Sequence, residues 1–90
     1  MTSTIKRQAN SGFQEVTVQA NSTIEIESRT CVLFMGLTNN TMAVGYGNNN
    51  YFTLLVGSLP SDVSITKPTN GTLRIVNGKS YGLTGFIMNR

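Results

Sequence analysis

The chain has 90 residues, enough for one domain with a modest core and too few for two. Charged residues make up only 12%, there is no histidine, and a single cysteine and a single aspartate are present, with a formal net charge of +3. That inventory rules out Ser-His-Asp and Cys-His catalytic arrangements and denies zinc its preferred ligands, so no enzyme activity, metal or other cofactor is expected.

Asn, Ser and Thr supply about a third of the residues, which points to a neutral exterior rich in amides and hydroxyls. Such a surface suits neutral polar ligands such as glycans, or close packing of identical subunits without like-charge repulsion. Residues 1–12 are rich in Ser, Thr, Asn and Gln and read as a flexible lead-in or linker, leaving 13–90 as the domain. Lys6 and Arg7 are the only adjacent positive pair. The other basic residues are scattered, a poor footprint for nucleic acid, although Phe13, Tyr46, Tyr51 and Phe52 could serve as stacking platforms. No signal-peptide pattern opens the chain, and no apolar stretch approaches the ~20 residues that span a bilayer, so membrane insertion is not expected.

From Phe13 to Ala20 the chain alternates, with Val16, Val18 and Ala20 on one face and Glu15, Thr17 and Gln19 on the other. After a turn at Asn21-Ser22 the pattern repeats in Thr23-Ile24-Glu25-Ile26-Glu27, and the two segments read as the strongest strand pair in the chain. Glu25 and Glu27 share a strand face with Cα atoms about 6.5–7 Å apart. Glycosidases use carboxyl pairs at such distances, but usually from different strands across a cleft, and here the pair reads as a solvated strand face.

Cys31 to Leu37 is a nearly continuous apolar run, as expected of a central strand covered on both sides or meeting a subunit neighbour. The lone Cys31 within it has no internal disulfide partner and reads as a small buried hydrophobe in a protein folded in a reducing cytosol.

Thr41–Tyr46 and Tyr51–Val56 then read as strands flanking Gly47-Asn48-Asn49-Asn50. Tyr46, Asn48, Asn49, Asn50 and Tyr51 form the candidate ligand-binding loop, because tyrosine rings stack on sugar faces and asparagine offers both donor and acceptor. The competing reading makes Tyr46 and Tyr51 a cross-strand aromatic pair closing the turn. Gly45-Tyr46-Gly47 lacks the Lys-Ser/Thr continuation of a phosphate loop and reads as a bending strand end.

Pro60 breaks the next stretch before Val63–Thr66, Pro68-Thr69-Asn70-Gly71 reads as a turn, and Asn77-Gly78 reads as a hairpin joining Thr72–Val76 to Ser80–Met88. Asn21-Ser22-Thr23, Asn39-Asn40-Thr41 and Asn70-Gly71-Thr72 match the glycosylation pattern, as chance alone predicts in so Asn- and Thr-rich a chain. About eight short strands and no helix predict an all-β fold, a single antiparallel sandwich of jelly-roll-like form.

The succession Val16-Thr17-Val18-Gln19-Ala20-Asn21-Ser22-Thr23-Ile24-Glu25-Ile26, an apolar strand, a Tyr/Gly/Asn hairpin, and Thr72-Leu73-Arg74-Ile75-Val76-Asn77-Gly78 before a final strand resembles a known pattern. It is similar to the small β-sandwich tip or head domains of bacteriophage tail fibres and related virion proteins, over roughly Phe13 to Asn89. The resemblance implies a non-enzymatic, homotrimeric module located in the virion and folded in the host cytoplasm. Its implied partners are other virion proteins and a host-surface glycan or protein acting as receptor. A capsid decoration or assembly protein, and a carbohydrate-binding or adhesion module on a bacterial cell surface, are the alternatives.

Overall fold

The computed structural model describes residues 2–5, 13–37 and 42–89. Among them are nine strands: β1 (Thr2–Ile5), β2 (Phe13–Val18), β3 (Ser22–Glu27), β4 (Cys31–Gly36), β5 (Met42–Gly47), β6 (Phe52–Val56), β7 (Val63–Thr69), β8 (Thr72–Asn77) and β9 (Leu83–Asn89). They form two sheets, one of four strands in the order β1-β3-β8-β7 and one of five in the order β2-β9-β4-β5-β6. Every pairing is antiparallel except that of β1 with β3. The expected all-β sandwich is present, and no helix occurs among the described residues.

Strict alternation builds the core. One face of β2, β3, β4, β8 and β9 carries, in that order, Val16 and Val18, Ile24 and Ile26, Leu33 and Met35, Leu73 and Ile75, and Leu83 and Ile87, all buried between the sheets. Phe52, Leu37 and Leu59 close its sides. Removing each such side chain from water contributes about 1.5–3 kcal/mol, which is how so short a chain offsets its ordering entropy.

The nesting of β2 with β9 and β3 with β8 is jelly-roll-like, whereas β4-β5-β6 is a simple meander and β7-β8 a hairpin. Three expectations are corrected. First, β2 and β3 are not partners: each buries one apolar face, and the chain crosses between sheets at Asn21, whose φ of 54° makes the sharp turn. Second, Asn77-Gly78 is not a hairpin, because β8 and β9 lie in opposite sheets. Asn77 is instead buried at the end of β8, and its side chain binds backbone across the connection. Third, Thr2–Ile5, within the expected lead-in, form β1 on the edge of the smaller sheet. Residues 6–12 lie outside the described residues, as do Thr41 and the acceptor pattern at 39–41.

The turn at Asn70-Gly71 is where the sequence places it, but β7 continues through Pro68 to Thr69. Proline is accommodated there because β7 is an edge strand whose register shifts between Thr66 and Thr69.

Candidate docking face

The two outer faces of the sandwich differ in chemistry. On the four-stranded sheet, Glu25, Arg74 and Thr66 stand in one cross-strand row and Thr23, Val76 and Ser64 in the next. Arg74 Nη2 lies 2.7 Å from Glu25 Oε2, and Nε donates to the same oxygen at 2.9 Å. Glu25, one of the two carboxylates on this strand face, is therefore held by a cation from the neighbouring strand.

The five-stranded sheet turns a different set outward. One row runs Phe13, Met88, Val32, Tyr46, Thr53, and the next Glu15, Phe86, Phe34, Val44, Val56. Thr17 opposite Thr84, and Gly36 opposite Met42, complete the face. Phe13 and Phe34 meet edge to face, with ring centroids 5.6 Å apart at 64°. Phe13, Phe34, Met42 and Phe86 line a shallow hollow of about 410 Å³. Phe13 remains 55% exposed, Met42 53% and Phe86 48%, values normally associated with polar side chains. Glu15 is the single charged side chain among the described residues of these rows.

On the inner side of the same sheet, glycines allow close approach. Gly45 faces inward, and the space its missing Cβ leaves is filled by the Phe52 ring. Gly85 lies against the backbone of Phe34 and Met35, bringing β9 and β4 into close approach at the centre of the face. Gly47 also faces inward, its Cβ position 3.0 Å from Cys31 Sγ, so the two glycines flanking Tyr46 serve packing.

The loop expected to bind ligand closes the β5–β6 hairpin at one end of this face. Asn48 N donates to Tyr51 O at 2.9 Å, and Asn48 Oδ1 accepts from the backbone N–H groups of Asn50 and Tyr51 at 2.8 and 2.9 Å. The Asn48 carbonyl oxygen is thus committed to shaping its own turn, while Asn49, Asn50 and Tyr51 are exposed at the tip. Tyr46 stands in the outward row opposite Thr53 and Val32, so it is not the cross-strand partner of Tyr51. The structure therefore divides the five candidate residues: one shapes the turn, three occupy the tip and Tyr46 belongs to the apolar face.

Cys31 faces the core, as expected. Burial pushes its thiol above the ordinary range, and the Ser28 hydroxyl, the Lys67 ammonium and a backbone hydrogen bond from Gly47 offset part of that rise. Lys67 Nζ donates to the carbonyls of Ser28 and Arg29 at 2.6 and 2.9 Å, capping the β3–β4 connection. Desolvation draws the Lys67 pKa below its usual value, with the Cys31 thiolate pulling the other way.

Met42, Phe86 and Met88 were not singled out from sequence as functional, and Phe13 was named only as a stacking platform for nucleic acid. The signal for them lay in strand parity: Phe13 shares its face with Glu15 and Thr17, so it falls on the side opposite the core. No protein family, curated protein or solved structure matches the chain.

Proposed function

We propose that this domain is a non-enzymatic structural module of a virion, of the tail-fibre tip or decoration kind, that works by docking the outer face of its five-stranded sheet onto protein. The observation that carries the docking half of this reading is the chemical contrast between the two outer faces: one polar and ion-paired, the other bearing two solvent-facing phenylalanines and two methionines. An apolar patch of that kind on a small domain marks a surface meant to be covered. The virion half rests on the resemblance of the strand succession to tail-fibre tips. Affinity capture from assembled phage particles tests both halves. Retention of a particle protein by the native domain, lost in Phe86→Lys, is the expected result, and equal capture by both would refute the docking face.

A glycan-binding role for the β5–β6 tip is the second reading, favoured by the 55% exposure of Tyr51 beside Asn49 and Asn50. Tyr51→Ala then abolishes binding on a glycan array while leaving thermal unfolding unchanged. An array on which the native domain finds no ligand refutes this role.

A further inference from the structure

The geometry points to a second copy of this chain as the occupant of the docking face, the two outer five-stranded sheets packing on one another about a two-fold axis. This rests on the docking reading above, names its partner, and departs from the three-fold assembly that the tail-fibre resemblance implies. The exposed apolar area suits such a pairing. Phe13, Met42, Tyr46, Val56, Phe86 and Met88 are between 40% and 61% exposed. With bare side-chain areas on the order of 150–200 Å², they leave roughly 550 Å² of apolar surface, at the upper end for a monomer. Adding the half-buried Val32, Phe34 and Val44 and the threonine rim brings the face close to the ~800 Å² per partner that a standard-size complex buries.

Charge suits it as well. The face offers an approaching molecule a single charged side chain, Glu15, exposed at the rim on the edge strand β2, and no charged group nearer its centre. Inside that rim, an apolar surface of matching size is what the face can accept without burying an unpaired charge, and a second copy presents one, with its own Glu15 likewise on the edge strand. Sheets pack face to face at ~10 Å with their strands within about 30° of alignment, an arrangement open to two identical sheet faces. In an isologous pair each hollow between Phe13, Phe34, Met42 and Phe86 faces the rings of the other copy.

Sedimentation velocity over a micromolar concentration series tests this, with the native chain, Phe86→Lys, and Ser64→Lys on the opposite outer face as control. Phe86→Lys is tolerated by the monomer, because position 86 is half exposed and pairs with Glu15. In the dimer it enters the interface twice, so association weakens on the order of 100-fold or more. A native dimer, a monomeric Phe86→Lys chain with an unchanged melting curve, and a dimeric Ser64→Lys chain are the expected results. A native monomer or trimer, or a dimer indifferent to Phe86→Lys, overturns the two-fold pairing. An environment-sensitive apolar dye separates the two failures. If a monomer binds the dye and Phe86→Lys abolishes that binding, the docking face stands with a different partner. If a monomer binds none, the docking reading falls as well.

Discussion

Replacing Asn77 should cost this domain much of its stability, although the residue touches no candidate ligand. Its Nδ2 donates to the carbonyls of Val18, Gln19 and Tyr81 at 3.2, 3.1 and 2.9 Å, and its Oδ1 accepts from the Lys79 N–H at 2.9 Å. One side chain, 1% exposed, thereby ties the end of β2, the end of β8 and the segment before β9 together. In Asn77→Ala the Val18 carbonyl is left buried without its donor, at about 1–3 kcal/mol, and the partly hydrated partners lose about 0.5–1 kcal/mol each. The sum is about 2.5–6 kcal/mol against a total of about 5–10 kcal/mol for a domain of this size, lowering Tm by about 10 °C or more. Asn77→Asp keeps the shape but turns acceptors toward three carbonyl oxygens. Burial and those oxygens raise the new carboxyl's folded pKa above its unfolded value, so the variant is least handicapped at acid pH and loses stability as pH rises through the folded pKa. Urea titrations followed by far-UV circular dichroism and tyrosine fluorescence measure both effects. They are best made in the Phe86→Lys background, where self-association cannot shift the midpoint. An Asn77→Ala chain within about 1 kcal/mol of its parent would refute the reasoning.

Gly85→Ala places a Cβ against the Phe34 carbonyl and the Met35 Cα, backbone atoms that cannot swing aside, so we expect about 2–3 kcal/mol of destabilisation, read as a lower urea midpoint. A neutral result would mean that β4 and β9 can separate at no cost. Cys31 should resist alkylation in the folded state at neutral pH and react at a rate set by unfolding, as time-resolved mass spectrometry would register; rapid labelling in native buffer contradicts its burial. Because the folded thiol titrates above its ordinary value of 9.0, its contribution to stability is fully present below that pH and is lost as pH rises toward the folded pKa. The loss should be absent in Cys31→Ala.

Which residues face the core was legible from the period-two pattern, since burial of Val16, Val18, Ile24 and Ile26 follows directly from alternation. Partnership was not legible. Adjacent alternating segments such as β2 and β3 satisfy the pattern equally well as a hairpin or as strands facing one another across the core, and the outcome depends on contacts with β9 and β8, whose residues lie far along the chain, Val18 meeting Leu83 and Ser22 meeting Asn77. Asn77-Gly78 misled for a related reason. The dipeptide suits a tight turn, yet the Asn amide matches a cluster of backbone carbonyls that only the tertiary fold assembles. The apolar outer face was half visible: the run from Cys31 to Leu37 announced a strand apolar on both sides, but its neighbours Phe86, Met88 and Phe13 joined it only through long-range register.

The position of β9 bears on how the domain comes to fold. Residues 83–89 occupy the interior of the larger sheet, between β2 and β4, so that sheet stays split until they arrive. A chain emerging from the ribosome can form the β4-β5-β6 meander early, but β2 has no partner until almost all of the domain has been synthesised. Folding is therefore expected to be dominated by distant pairings, a topology associated with millisecond-to-second rates. During that wait the apolar strand β4 has an open edge, and its safest temporary neighbour is a chaperone.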